Sequence, residues 1–234
     1  LPPAPPGALS APFDAAVLAS NANPDSAATD HLRSVHTELA ARGVGTRRSL
    51  DDSVQFALLA SRRFGDARVF ASTRPHLERQ QIPAVVDTLG AGFSGRSIYD
   101  YDADKNLLTR RVMPSPAGQQ LVMVVGASCH FSRDALAALR ADPALLARLR
   151  QANLTLVTPP QAPIPFWYLA EWNAANPTLP IQVPYNAREW GPVAEAATPE
   201  FFLYKDGKFA GHLIGWPKGG NIAALLALLD VAMK

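Results

Sequence analysis

The residues best suited to covalent chemistry lie together at Cys129-His130-Phe131-Ser132, inside the stretch "GASCHFSRDALAAL" that runs from Gly126 to Leu139. Cys129 is the only cysteine in the chain. It follows an apolar run and precedes a segment of helical spacing, which places it at the mouth of a helix. A helix N-terminus offers unpaired N–H groups and the positive end of the helix dipole. Both favour the thiolate, the form of cysteine that acts as a nucleophile. Ser132, three residues on, can donate its hydroxyl to that thiolate. His130, when protonated, and Arg133 in the first turn add positive charge nearby. The inert alternative is a small buried hydrophobe, since free cysteine is among the most buried residue types. Spacing alone leaves both readings open.

The elements that must hold this thiol are clearest in the second half of the chain. Gln120 to Val125 reads as a buried strand. Ser132 to about Ala152 reads as a helix with a break at Asp142-Pro143. Leu154 to Thr158 is a second strand and Phe166 to Ala175 a second helix, followed by a Pro-rich aromatic stretch. Glu200 to Tyr204 and Phe209 to Ile214 form a hairpin across Lys205-Asp206-Gly207-Lys208, and Asn221 to Met233 is a closing amphipathic helix. The order is strand, helix, strand, helix, strand, strand, helix. It predicts an α/β domain over residues 118–234, with a mixed sheet flanked by helices.

The first half reads differently. Residues 1–26, rich in Pro and Ala, are expected to be a tail or extended arm. Residues 27–117 are expected to be a mainly helical region with a short hairpin. Leu32, Val35 and Leu39 share one helical face. A helix opening at Ser49 carries Asp52 in a capping-box position and puts Val54, Ala57 and Leu58 inward. Ala67 to Ser72 is expected to be a short strand, and Pro75 to open a third helix through Leu77, Val85, Val86 and Leu89. Ser97 to Tyr101 and Leu107 to Met113 form the hairpin, with the polar turn Asp102 to Asn106 between them.

Bulk properties exclude several classes. The chain has 234 residues, 48% of them hydrophobic, and a formal net charge of +2. That composition is globular, with no basic stripe for nucleic acid and no apolar run long enough for a membrane span. No Cys/His spacing suits zinc. His31, His36 and His76 lie in the helical half with no evident partner, so no metal is expected. Asp100, Asp102 and Asp104 alternate as in a calcium loop, but the twelfth position would be Arg111, which excludes an EF-hand. The chain begins Leu1-Pro2-Pro3-Ala4-Pro5-Pro6 without Met. Removal of a secretory signal, and hence an exported or periplasmic location, is the expectation, with a trimmed terminus as the alternative.

From these residues the second half resembles the thioredoxin superfamily. Cys129 stands where that family carries the first cysteine of its Cys-x-x-Cys motif. "ATPEFFLYKDGKFAGHLIGWP", Ala197 to Pro217, is similar to the family's Thr–cis-Pro loop, hairpin and final glycine. Thr198 before Pro199 is similar to the periplasmic disulfide isomerases of the DsbC and DsbG type. The resemblance implies a cis bond at Thr198–Pro199, with the Thr198 backbone free to pair with an extended peptide. It also implies that Cys129, Ser132 and His130 are catalytic and that Thr198 and Pro199 bind substrate. Ser132 replaces the second, resolving cysteine. Dithiol cycling is therefore lost, which leaves one-thiol exchange released by another thiol, with glutathione as a possible co-substrate. A peroxiredoxin would need Thr where Gly126 stands.

Two functions follow from different classes. One is a redox-degenerate binding or assembly module for a protein or peptide partner, which the missing second cysteine favours. The other is a monothiol thiol-disulfide exchange or deglutathionylation enzyme, which Cys129 and Thr198-Pro199 favour. Phe166, Trp167, Tyr168, Trp172, Tyr185 and Trp190 crowd one insertion. They read mainly as packing, or as an apolar peptide-binding surface in which Phe131, Trp167 and Trp190 contact the substrate. His212, on the hairpin, is expected to be structural.

Overall fold

The computed structural model describes residues 10–22, 26–43, 48–77, 82–90 and 92–231. The chain divides into two compact units, residues 1–85 with 161–164, and residues 86–160 with 165–234. This division falls at 85/86, whereas the sequence reading places its boundary at 117/118. The hairpin that precedes it pairs into the same sheet as the second half.

The first unit is helical: α1 (Ser10–Ala22), α2 (Ser26–Ala41), α3 (Arg48–Ala60) and α4 (Phe64–Ala71). Ser10–Ala22 is a helix rather than an extended arm, because Phe13 and Ala16, three apart, are both buried. Residues 1–9 of the expected arm lie outside the described residues. The strand expected at 67–72 is the body of α4 instead. Phe64, Ala67 and Ala71 are buried at helical intervals. Of the third helix expected from Pro75, Pro75–Leu77 is a turn, residues 78–81 lie outside the described residues, and β1 (Ala84–Asp87) occupies part of the rest. Inside this unit Asp51, 4% exposed, is 2.8 Å from Nε2 of His36 and accepts from Nε of Arg74 at 3.0 Å. Nε2 of His76 stands 3.3 Å from its other oxygen. The histidines expected to lack a partner therefore share one in Asp51, except His31.

The second unit holds β2 (Ser97–Asp102), β3 (Leu107–Val112), β4 (Gln119–Val124), α5 (His130–Ala141), α6 (Pro143–Gln151), β5 (Thr155–Val157), α7 (Phe166–Ala175), β6 (Ile181–Pro184), β7 (Glu200–Lys205), β8 (Lys208–Ile214) and α8 (Ile222–Val231). The sheet order is β1-β3-β2-β6-β5-β4-β7-β8. β4, β5 and β6 are parallel, and the other described pairs are antiparallel. β6 falls within the Pro-rich aromatic stretch, where four residues gave too short a period to read. It joins the β2–β3 hairpin to the parallel strands. Gln119–Val231 has a thioredoxin-like fold: strand, thiol, helix, parallel strand, then a hairpin and a closing helix.

Local chemistry explains the elements that matter. Asp142 ends α5, and its side chain accepts from the Leu145 N–H at 2.9 Å to cap α6, with Pro143 in its first turn. Asp206 (φ +49°) and Gly207 (φ +75°) supply the left-handed pair that a tight β7–β8 turn requires. β4 is buried from Gln120 to Val124, as a central strand covered on both faces must be. One face joins Val122, Val124, Phe202 and Tyr204 to Ile98, Met113, Val157, Trp190 and Val193. The other carries Leu121, Met123, Phe201 and Leu203, all fully buried. Burial of each large side chain contributes roughly 1.5–3 kcal/mol.

Candidate functional site

β4 delivers the chain to the site. After Val125, whose N–H donates to Val157 at 2.9 Å, the backbone turns at Gly126, and the Cys129 N–H closes the turn on the Gly126 carbonyl at 3.1 Å. Cys129 is the N-cap of α5 in an extended conformation (φ −82°, ψ 114°). The Arg133 N–H donates to its carbonyl at 3.2 Å, so the helix starts directly beneath the sulfur. The buried stripe Ser132, Ala135, Leu136 and Leu139 seats α5 on the domain.

Two kinds of hydrogen bond compete for the sulfur. As a thiol, Cys129 Sγ donates to the Thr198 carbonyl at 3.0 Å. As a thiolate, it is offered the Thr198 hydroxyl, the N–H and hydroxyl of Ser132, and the Phe131 N–H. Burial pushes the thiol up, but these donors together outweigh it and hold Cys129 below its ordinary value. Ser132 is fully buried, and its oxygen accepts from the Gly126 N–H at 3.1 Å. That bond takes up the oxygen and leaves the hydroxyl proton for the sulfur.

The Thr198–Pro199 peptide bond is cis. Its surroundings are tight on the Cys129 side. A Cβ at Gly126 would lie 2.9 Å from Thr198 Oγ1 and 3.2 Å from Cys129 Cβ. Only glycine lets the threonine approach this closely. The Pro199 carbonyl accepts from the Gly215 N–H at 2.8 Å, which ties the loop to the end of β8. The Thr198 backbone was expected to be free to pair with an extended peptide; its carbonyl accepts here from the Cys129 thiol, and ionisation of the sulfur releases it.

The remaining sequence candidates separate. Phe131 is 42% exposed, and Trp167 is 68% exposed. His130 is exposed, and its ring meets that of Phe131 at a 39° tilt with centroids 3.8 Å apart. On α7, the Trp172 ring lies 5.7 Å from the guanidinium of Arg140 on α5, and Trp167 packs on Tyr168 at 5.8 Å. Trp190 is not available to a substrate. It is 1% exposed and belongs to the apolar core, because the segment between β6 and β7 folds onto the sheet face. The described residues hold no cluster of His, Cys, Asp and Glu suited to a metal. No helix among them is long and apolar enough to cross a membrane.

Two residues at the site escaped the sequence. Gly126 was given no structural role by the sequence reading; its close approach to Thr198 spans most of the domain. Glu200 follows Pro199 directly and is 5% exposed, with His212 Nδ1 2.6 Å from its Oε1. A charged residue on the inward-facing period of Phe202 and Tyr204 was the available signal.

No protein-family model matches the chain, and no curated protein matches it. Solved structures similar to it include the N-terminal domain of PilB from Neisseria gonorrhoeae, at 18% identity and TM-score 0.37, covering 50% of this chain and 78% of that one. A hypothetical protein from Sinorhizobium meliloti 1021 matches at 18% identity and TM-score 0.42, covering 62% and 85%. A conserved protein of unknown function from Bacteroides fragilis matches at 14% identity and TM-score 0.36, covering 60% and 98%.

Proposed function

We propose that the chain is a one-thiol exchange protein of an exported compartment, acting on protein thiols and disulfides through Cys129, in the manner of a DsbC- or DsbG-like domain with Cys-x-x-Ser. The observation that carries this reading is the place of the sulfur: a partly exposed Cys129 at the N-cap of α5, its Sγ 3.0 Å from the Thr198 carbonyl beside a cis Thr198–Pro199 bond. An inert cysteine packed as a small hydrophobe has no need of that setting.

The step balances with one thiol. The Cys129 thiolate attacks one sulfur of a substrate disulfide. The bond to Cys129 forms, the substrate S–S bond breaks, and the other substrate sulfur leaves as a thiolate. A second thiolate then attacks the mixed disulfide and restores Cys129. That thiolate comes either from the substrate, which gives isomerisation with no net oxidation, or from glutathione, whose sulfur bonds to the substrate sulfur as Cys129 leaves. A second glutathione thiolate then attacks that mixed disulfide, frees the substrate thiolate and departs as glutathione disulfide. Ser132 and the end of α5 stabilise the thiolate as it forms and as it leaves. Release of the Thr198 carbonyl on ionisation opens an acceptor for the substrate backbone at the moment of attack. Phe131 and Trp167 present apolar surface to the peptide. An oxidising compartment, where substrate disulfides persist, suits this chemistry.

The test is the pH dependence of Cys129 alkylation, with mass measurement after glutathione disulfide treatment. The expected result is a midpoint below the ordinary value of about 8.5 and a reversible glutathione adduct. An ordinary midpoint with no adduct would overturn the reading. A second reading, a binding or assembly module without redox work, draws on the exposed Trp167 and Phe131. It requires Cys129→Ala to leave partner binding unchanged, whereas exchange requires that variant to lose adduct formation altogether.

A further inference from the structure

Glu200 occupies a position that strand alternation assigns to the core. It pairs with Val124 in the β4–β7 register, on the same face as Phe202 and Tyr204. Apolar side chains dominate that face, with Val122, Val124, Trp190 and Val193 on it and the buried Gln120 at its far end, opposite Tyr204. A carboxylate buried there costs several kcal/mol unless it is paired and hydrogen-bonded. Both of its oxygens are in use. Oε1 meets Nδ1 of His212 at 2.6 Å, and Oε2 accepts from the Ala197 N–H at 2.8 Å.

The second bond is the informative one. Ala197 is the residue before Thr198, and Thr198 touches the sulfur through both its carbonyl and its hydroxyl. Downstream, the loop is fastened by the Pro199 carbonyl to Gly215. Upstream, the Glu200 carboxylate reaches back across the turn to fasten Ala197. His212, on the partly exposed strand β8, anchors that carboxylate from the solvent side, with Phe202 at 6.0 Å and Phe209 at 6.1 Å against its ring.

We propose that Glu200, anchored by His212, is the positioning residue that clamps Ala197 and so holds Thr198 against the Cys129 sulfur. This inference rests on the one-thiol reading above. Glu200 touches neither sulfur nor substrate, and acts through Thr198. Without the clamp the upstream half of the loop is free to lift, and the Thr198 hydroxyl leaves the sulfur. Glutamine preserves the arrangement, because its carbonyl can accept from Ala197 while its amide faces His212.

The experiment compares wild type, Glu200→Ala, Glu200→Gln and His212→Ala by two readouts on the same folded samples. One is amide hydrogen exchange at Ala197; the other is the pH midpoint of Cys129 alkylation. In Glu200→Ala, Ala197 exchange is expected to rise about tenfold or more. Its alkylation midpoint is expected to move upward by about half a unit or more. Glu200→Gln restores both. His212→Ala, a surface change that spares the fold, is expected to raise Ala197 exchange about threefold or more. Unchanged Ala197 exchange in either alanine variant overturns the clamp. Faster exchange with an unmoved or lowered midpoint in folded Glu200→Ala overturns its effect on the thiol. A wild-type midpoint at the ordinary thiol value overturns the one-thiol reading itself, and the inference with it, so the two failures are distinguishable.

Discussion

Two polar clusters in the second unit, around Arg110 and around Cys129, use similar bonds to opposite ends. Arg110 is 2% exposed, and every arm of its guanidinium is engaged. Nε donates to Ser97 Oγ at 2.9 Å, Nη1 to Asp87 at 3.0 Å and to the Gly90 carbonyl at 3.1 Å, and Nη2 to Glu189 at 2.9 Å. Glu189 in turn accepts from the N–H and hydroxyl of Ser97. The Tyr185 ring covers the guanidinium at 3.4 Å. Supply and demand match, so this charge is fixed and chemically quiet. At Cys129 they do not match. One partly exposed sulfur faces several donors, and the acceptor it uses as a thiol is freed when it ionises. Closure makes a structural lock; a surplus of donors beside an open face makes a reactive group.

The contrast predicts graded effects. Arg110→Met removes the cation and strands Asp87 and Glu189. It is expected to cost about 3 kcal/mol in urea unfolding while leaving the alkylation midpoint of the folded protein in place. Asp87 is held below its usual value: burial pushes it up, but the N–H groups of Leu89 and Gly90 and the Arg110 guanidinium pull it down further. A depressed carboxylate stabilises the fold above its unfolded value of about 3.9, and that contribution is lost as pH falls through the folded value. Arg110→Met should therefore flatten the acid limb of the stability curve below about pH 4. A midpoint shift at Cys129 as large as that of a site variant would erase the distinction between the clusters.

Gly126→Ala comes next. Its Cβ collides with Thr198, so a loss of about 1–3 kcal/mol is expected, with a changed alkylation profile. Ser132→Ala removes the acceptor of the partly buried Gly126 N–H and a donor to the sulfur. It is expected to cost about 1–2 kcal/mol and to raise the alkylation midpoint. Cys129→Ser is expected to change stability by less than about 1 kcal/mol while abolishing adduct formation. That smallest stability effect, joined to total loss of chemistry, is the sharpest form of the comparison. A stability loss like that of Arg110→Met would recast Cys129 as a packing residue.

What could be read in advance followed sequence distance. Cys129, Ser132 and the start of α5 were legible because their bonds close within seven residues. Thr198 was placed only by resemblance, since its bond to Cys129 spans 69 positions. The Arg110 lock was not visible, with partners 13 to 79 residues away. The helix α4 was mistaken for a strand because a short apolar run carries no decisive period. Trp190 was misplaced because an aromatic in an irregular segment says nothing of which way that segment folds.

The sequence by itself determined the thiol, its place at a helix mouth, the order of strands and helices through the second half apart from β6, and the absence of a second cysteine. Those features are local: periodicity, caps, turn residues and composition act over a few neighbours. Only the tertiary structure decided that the buried Ser132 hydroxyl accepts from the Gly126 N–H, that Gly126 admits Thr198, that Glu200 is buried and paired, and that Trp190 faces the core while Trp167 faces solvent. Each depends on which strands lie side by side, and strand pairing is a global outcome of burying both faces of the sheet.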